Sequence, residues 1–227
     1  MSQMEPCPVP VPLAPIHELN ERCLDLLAHA ARAGSALPLS LPDLLHDELL
    51  RSTPDSRQHA AERQFLLLDL EFRNLPWWRA IARSTAQPGR GDPWRSPFVQ
   101  RTAIRLTRIT VTVAWQAIQC ELNTACLLLG MEPSVAKLIV DLPVTTLDQI
   151  AGRYHRYLQP RWADRPAYWR DLLQAAERKE AAKLRSLDAQ GLQLLTGDLL
   201  SDAHARQFRT QSTRTGFRAK FPVGCTS

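Results

Sequence analysis

Apolar residues recur at steps of three and four along most of this 227-residue chain. Such steps place residues on one face of an α-helix, whereas a half-buried strand would show strict alternation. The β-branched run at 109–113 has strand propensity, but it lies inside a longer helical pattern that outweighs it. We therefore predict an all-α fold. The first helical pattern ends at Gly34, and its apolar positions are Ile16, Leu19, Cys23, Leu26 and Ala30.

Proline, glycine and capping residues divide these patterns into separate helices. Thr53 is predicted to cap a helix that has Pro54 in its first turn and extends to Phe65 and Leu68. Asn74 is predicted to precede the next helix. Further helices are predicted over 40–50, 97–130, 133–141, 146–158 and 166–195. We expect the helix over 97–130 to end at Gly130 and the helix over 146–158 to begin with a capping box formed by Thr146 and Gln149. Gly191 is a candidate break in the helix over 166–195.

Two segments 91 residues apart resemble each other, at 72–79 and 162–170. Each combines aromatic residues, a capping residue, a proline and a Trp-Arg pair, so that Trp78 corresponds to Trp169. These tryptophans are predicted to anchor the core, because large aromatic side chains dominate packing energetics. Two unrelated proline-capped helices are the alternative to a true repeat. The predicted organisation is a proline-rich leader (1–15), a helical unit (16–83), a linker (84–97), a second helical unit (98–200) and a basic tail (201–227).

The stretch 124–162 contains an ordered series of helix boundaries. One helix ends in Leu129-Gly130, a short helix contains Ala136, and a Leu142-Pro143 turn leads to a helix with Ile150-Ala151, before the pair Arg161-Trp162. This stretch resembles the FlhD family of flagellar and plasmid-borne transcriptional regulators. The resemblance implies a helical, dimerising activator of transcription that works alone or with a partner subunit.

The residue chemistry of the same stretch favours DNA as a ligand. A short helix, a turn and a second helix form a helix-turn-helix-like layout, in which the second helix enters the major groove. The predicted outer side of that helix carries Gln149, Arg153 and Arg156. Glutamine can pair with adenine and arginine with guanine, each through two hydrogen bonds. A solvated helix face that happens to carry two arginines is the alternative.

Basic residues outside this helix are candidates for phosphate contacts. The net charge is +5, and 24 of the 28 basic residues are arginines, a bias that a GC-rich genome could also produce. Arg101, Arg105 and Arg108 form a stripe without an acid at i+4, and the tail has no acid after Asp202. Residues 43–71 instead contain seven acids, which favours a protein contact there. The candidate DNA-binding residues are Gln149, Arg153, Arg156, Arg101, Arg105, Arg108, Arg214 and Arg218.

Other classes of function have weaker support. A metal-dependent enzyme would need His46, His59 and Glu62 to converge, and the sequence contains no phosphate-binding loop or nucleophile turn. We predict no enzyme, cofactor, metal site or membrane contact, and a cytoplasmic location. A homodimer or a complex with a partner regulator is expected. The alternative is a helical adaptor protein that binds other proteins through exposed aromatics and the proline leader.

Overall fold

The computed structural model describes the backbone of residues 10–33, 43–83 and 96–215, and the side chains of 10–33, 45–83 and 96–201. Within these ranges the chain is almost entirely helical, which confirms the all-α prediction. The helices are α1 (Ala14–Arg32), α2 (Asp43–Arg51), α3 (Pro54–Ala61), α4 (Leu75–Ala82), α5 (Gln100–Cys120), α6 (Leu122–Leu129), α7 (Pro133–Val140), α8 (Val144–Tyr154), α9 (Pro166–Glu177) and α10 (Ala181–Thr215). A 3-10 turn (His155–Tyr157) follows α8, and β1 (Leu68–Asp69) pairs antiparallel with β2 (Gln159–Pro160).

Several helix ends lie where local sequence signals predict them. The Thr53 hydroxyl accepts a hydrogen bond from the Ser56 amide at 3.1 Å. The Asn74 side chain accepts one from the Trp77 amide at 3.2 Å. Gly130 ends α6 in the left-handed conformation, with φ of +56°, which glycine adopts without steric cost. These predicted caps are confirmed.

The predicted helix over 97–130 is two helices. Glu121 separates them with extended dihedrals, φ −157° and ψ +110°, and its carboxylate accepts a hydrogen bond from the Asn123 amide at 2.9 Å. The carboxylate therefore caps α6, so the break leaves fewer amides without a partner. The prediction of one continuous helix was wrong.

The helix that begins at Pro54 ends at Ala61 and does not reach Phe65 or Leu68. The four residues 65–68 are fully buried. The buried Asn20 side chain satisfies this non-helical backbone, because it donates to the carbonyls of Ala61 and Phe65 and accepts from the Leu67 amide at 2.8 Å. A side chain from α1 thus stabilises an irregular segment that the local pattern predicted as helix.

The predicted boundaries of two later helices also need correction. Helix α8 begins at Val144 after Pro143, without the predicted capping box at Thr146, and ends at Tyr154 before the 3-10 turn. The predicted 166–195 helix is divided at Lys179, whose φ is +54°. Helix α10 then continues through Gly191, where a break was predicted, to Thr215, so residues 201–215 are helical.

One hydrophobic core includes helices from both sides of the predicted linker. Helices α2 and α3 pack against α9, and α4 packs against α7. Trp78 and Trp169 are buried, as predicted, and their indole nitrogens donate to the carbonyls of Glu71 (3.0 Å) and Arg161 (2.8 Å). In the described part of the chain, no single helix is long and apolar enough to cross a membrane. The α6–α7 pair passes that test jointly but bends by 114°.

Candidate nucleic-acid interface

The α7–turn–α8 segment has one buried side and one open side. Glu132 caps α7 by accepting from the Val135 amide at 3.1 Å, and residues 141–143 form the turn into α8. Helix α8 packs mainly against α5. Its outer side therefore lies away from the core. The buried residues of α8 are Leu147, Ile150, Ala151 and Tyr154, as the periodicity predicts.

The open side of α8 presents two of the predicted contact residues. Gln149 and Arg153 are exposed, together with Asp148 and Gly152. No carboxylate among the described residues lies within 4.0 Å of the Arg153 guanidinium. Arg153 is thus a charged donor group that is available to a ligand.

Arg156 lies beyond the end of α8 and is less exposed than Gln149 and Arg153. It lies in the 3-10 turn after α8, it is half-buried, and its buried Nε has no hydrogen-bond partner in the part of the chain that is described. The helical spacing that groups it with Gln149 and Arg153 ends at Tyr154. Its contribution to a recognition face together with Gln149 and Arg153 stays a prediction.

Helix α5 carries the predicted basic stripe beside α8. Arg101, Arg105 and Arg108 are all exposed. Arg108 is paired with Asp148 of α8, with Nε 2.7 Å from Oδ1 and Nη2 3.3 Å from Oδ2. This two-point pair connects the stripe to α8, although an exposed ion pair contributes only about 0–1 kcal/mol. As expected, no acid of α5 itself neutralises these three arginines. Asp148 of α8, however, neutralises Arg108.

Arg101 and Arg105 also line a groove between α5 and α1. The groove has a volume of about 580 Å³, and Leu26 and Leu106 are among its apolar lining residues. On the α1 side, Asp25 pairs with Arg57 at 2.6 Å. Arg101 and Arg105 have no described carboxylate within 4.0 Å, so they keep their charge for an external anion.

The remaining predicted candidates lie at the end of the chain or in the acidic half. The backbone of Arg214 belongs to α10, but its side chain, like all of Arg218, lies outside the described residues. His59 Nδ1 lies 2.8 Å from the Asp55 carbonyl oxygen, and Glu62 is exposed. Within the described ranges, no group of three His, Cys, Asp or Glu side chains is placed to hold a metal ion.

The sequence did not predict the roles of two polar residues, Asp148 in the interface and Arg161 in the core. Asp148 adjoins Gln149, so the same helical spacing could have placed it on the outer side. Arg161 is buried and donates to the carbonyls of Leu66, Leu68 and Leu129 at 2.7–3.0 Å. Its only sequence signal was the Arg161-Trp162 pair. Arg161 therefore stabilises the fold and is not available to DNA.

Comparisons with protein families, with curated proteins and with solved structures find no match to this chain.

Proposed function

We propose that this protein is a DNA-binding transcriptional regulator whose α8 enters the major groove. The observation that carries the proposal is the exposed Gln149 and Arg153 on the second helix of a helix-turn-helix-like segment. Exposed Arg101 and Arg105 on the neighbouring helix supply positive charge for the phosphate backbone. The FlhD-like sequence of 124–162 supports the same reading.

The chemistry divides between base recognition and phosphate binding. The Arg153 fork matches guanine O6 and N7, and the Gln149 amide matches adenine N6 and N7. Arginines on α5 would release counterions from the phosphates, which gives affinity that falls with salt. Asp148 neutralises Arg108, so Arg101 and Arg105 are the stronger phosphate candidates.

The FlhD resemblance is also the basis for the cellular location and assembly that we propose. An FlhD-like activator would act in the cytoplasm as a dimer or with a partner subunit. The acidic surface of the first unit is the part of the chain that we assign to protein contact. No catalytic step, cofactor or metal belongs to this proposal.

The direct test is duplex binding by the full chain across a salt series. Fluorescence anisotropy with a mixed-sequence duplex should show log affinity falling linearly with log salt concentration. Arg101→Ala and Arg105→Ala should each reduce the magnitude of that slope by about 0.9. Arg153→Ala should weaken binding to a sequence enriched by in vitro selection by about 1–3 kcal/mol.

Arg185→Ala is the matched control, because Arg185 is exposed on α10. It should leave the affinity for the selected sequence nearly unchanged. Absence of salt-dependent binding by the wild-type chain would contradict the proposal and favour the adaptor alternative. Equal losses for Arg153→Ala and Arg185→Ala would show that charge alone, rather than α8, determines binding.

A further inference from the structure

The elements before and after the predicted linker occur in the same order. Helices α1, α2 and α3, strand β1 and helix α4 are followed by α5, α7, α8, β2 and α9, with α6 as an insertion. Corresponding positions lie 91 residues apart, as Trp78 and Trp169 show. Glu71 and Trp162, also 91 apart, both have positive φ, at +52° and +53°. Helix α3 is therefore the counterpart of α8.

The strand pair joins these counterparts reciprocally. Leu68 pairs with Pro160 and Asp69 pairs with Gln159. With a 91-residue offset, Leu68 is equivalent to Gln159 and Asp69 to Pro160, so exchanging the two strands turns one pair into the other. The contacts across the self-complementary interface of a two-fold dimer are related in the same way. The packing of α2 on α9 and of α7 on α4 follows the same exchange. A two-fold helix-turn-helix dimer would use both second helices, on two half-sites.

The two second helices differ in charge at equivalent exposed positions. Gln58 on α3 corresponds to Gln149 on α8, and both are exposed. Glu62, immediately after α3, corresponds to Arg153, and both are again exposed. Where α8 offers a cation to DNA, the equivalent site beside α3 offers a carboxylate, which phosphates repel.

The chain's own C-terminal helices also contact the segment around α3. Lys179, between α9 and α10, lies 2.8 Å from the Asp55 carboxylate near the start of α3. Beyond the other end of α3, Arg63 donates to the Leu184 carbonyl at 2.9 Å and to Asp188 at 3.0 Å. The segment 179–188 thus contacts α3 near its start and the chain just after its end. In the described chain, α8 has no comparable contact with α10.

We infer that one chain reads DNA with α8 alone and binds a single asymmetric half-site, while α3 excludes DNA. This inference rests on the proposed function, because it assigns the DNA contact to one of two equivalent helices. The exposed acidic surface beside α3 remains available for a protein contact. The chain would then recognise a sequence without inverted symmetry, although its own fold has two-fold character.

Paired substitutions at equivalent positions test this asymmetry in the full chain. Gln149→Ala and Arg153→Ala should each weaken binding to a selected duplex by about 5- to 150-fold, the range expected for a lost base contact. Gln58→Ala and Glu62→Ala remove the equivalent side chains and should change affinity less than about twofold, in line with a surface position outside the interface. Circular dichroism should be unchanged for all four variants, because these side chains are exposed.

The selected sequence gives an independent result. In vitro selection from random duplexes should yield one motif without inverted symmetry for each bound chain, with the chains per duplex counted by native mass spectrometry. An inverted repeat bound by one chain, or equal losses from the α3 and α8 variants, would overturn the inference and leave the proposed function intact. No DNA binding by the wild-type chain would overturn both.

Discussion

Replacing Arg161 with methionine should destabilise the protein by about 3–5 kcal/mol, the range for breaking a buried charged network. The Arg161 side chain is 4% exposed. Its Nε donates to the Leu66 carbonyl at 3.0 Å, and its Nη2 donates to those of Leu68 (3.0 Å) and Leu129 (2.7 Å). Methionine keeps an unbranched chain of similar length but leaves three buried carbonyls without this donor.

The magnitude follows from two opposing effects. Each buried acceptor left without a donor costs about 1–3 kcal/mol, so three such groups cost about 3–9 kcal/mol. Removal of the guanidinium also relieves the cost of burying its charge, and that burial lowers the pKa of Arg161 despite the nearby Asp69. This relief offsets part of the loss, which places the expected value at the lower end of the range.

Urea denaturation followed by far-UV circular dichroism measures this change as a difference in unfolding free energy. Arg178→Met is the matched control, because the Arg178 side chain is 67% exposed, and its effect should stay below about 0.5 kcal/mol. A loss below about 1 kcal/mol for Arg161→Met would refute the reasoning, because it would be smaller than the cost of one unsatisfied carbonyl.

Three other predictions concern packing, charge and thiol chemistry. Gly191→Ala should destabilise by about 1–3 kcal/mol in the same denaturation assay, because the added Cβ would lie 2.1 Å from the Phe65 ring. Asp148→Asn should strengthen duplex binding at low salt in anisotropy measurements, because it releases Arg108 from its ion pair. Burial, with help from nearby carboxylates, raises the pKa of Cys126 to about 11. Iodoacetamide at pH 8 should therefore modify Cys126 much more slowly in the folded chain than in urea, as mass spectrometry would show.

Each of these three predictions could be contradicted by a specific result. Gly197→Ala is the packing control, because no atom lies within 4 Å of its added Cβ, and it should stabilise α10 by about 0.5–1 kcal/mol. Equal effects of the two glycine variants would contradict the packing argument. Weaker DNA binding by Asp148→Asn would show that Asp148 itself contacts DNA. Equal alkylation of Cys126 in the folded and unfolded chain would mean that its thiol is accessible.

The predictable parts of the fold depend on neighbouring residues. The caps at Thr53, Asn74 and Gly130 need only local hydrogen bonds or dihedral angles, so the sequence contains the whole signal. The segment 65–68 differs because Asn20, more than forty residues earlier, supplies its hydrogen bonds. The interruption at Lys179 has no comparable local proline or glycine signal.

In the candidate interface, too, local features could be predicted from the sequence and contacts between distant residues could not. Helical spacing correctly predicted that Gln149 and Arg153 are exposed, because both lie opposite the buried side of α8. The Arg108–Asp148 pair joins residues 40 positions apart on two helices, so no local pattern could reveal it. Arg156 was grouped with the other two because the spacing assumed a helix to 158, whereas α8 ends at Tyr154 and Arg156 is half-buried in the 3-10 turn that follows.

Hydrogen–deuterium exchange with and without a saturating mixed-sequence duplex tests the central claim most directly. If α8 is the DNA-contacting helix, DNA should slow exchange in peptides that cover 144–154, and also in those that cover the arginines of α5 at 100–108. Peptides that cover α3, at 54–61, should exchange at the same rate in both samples. Slower exchange at 54–61 without any change at 144–154 would contradict the assignment of DNA binding to α8.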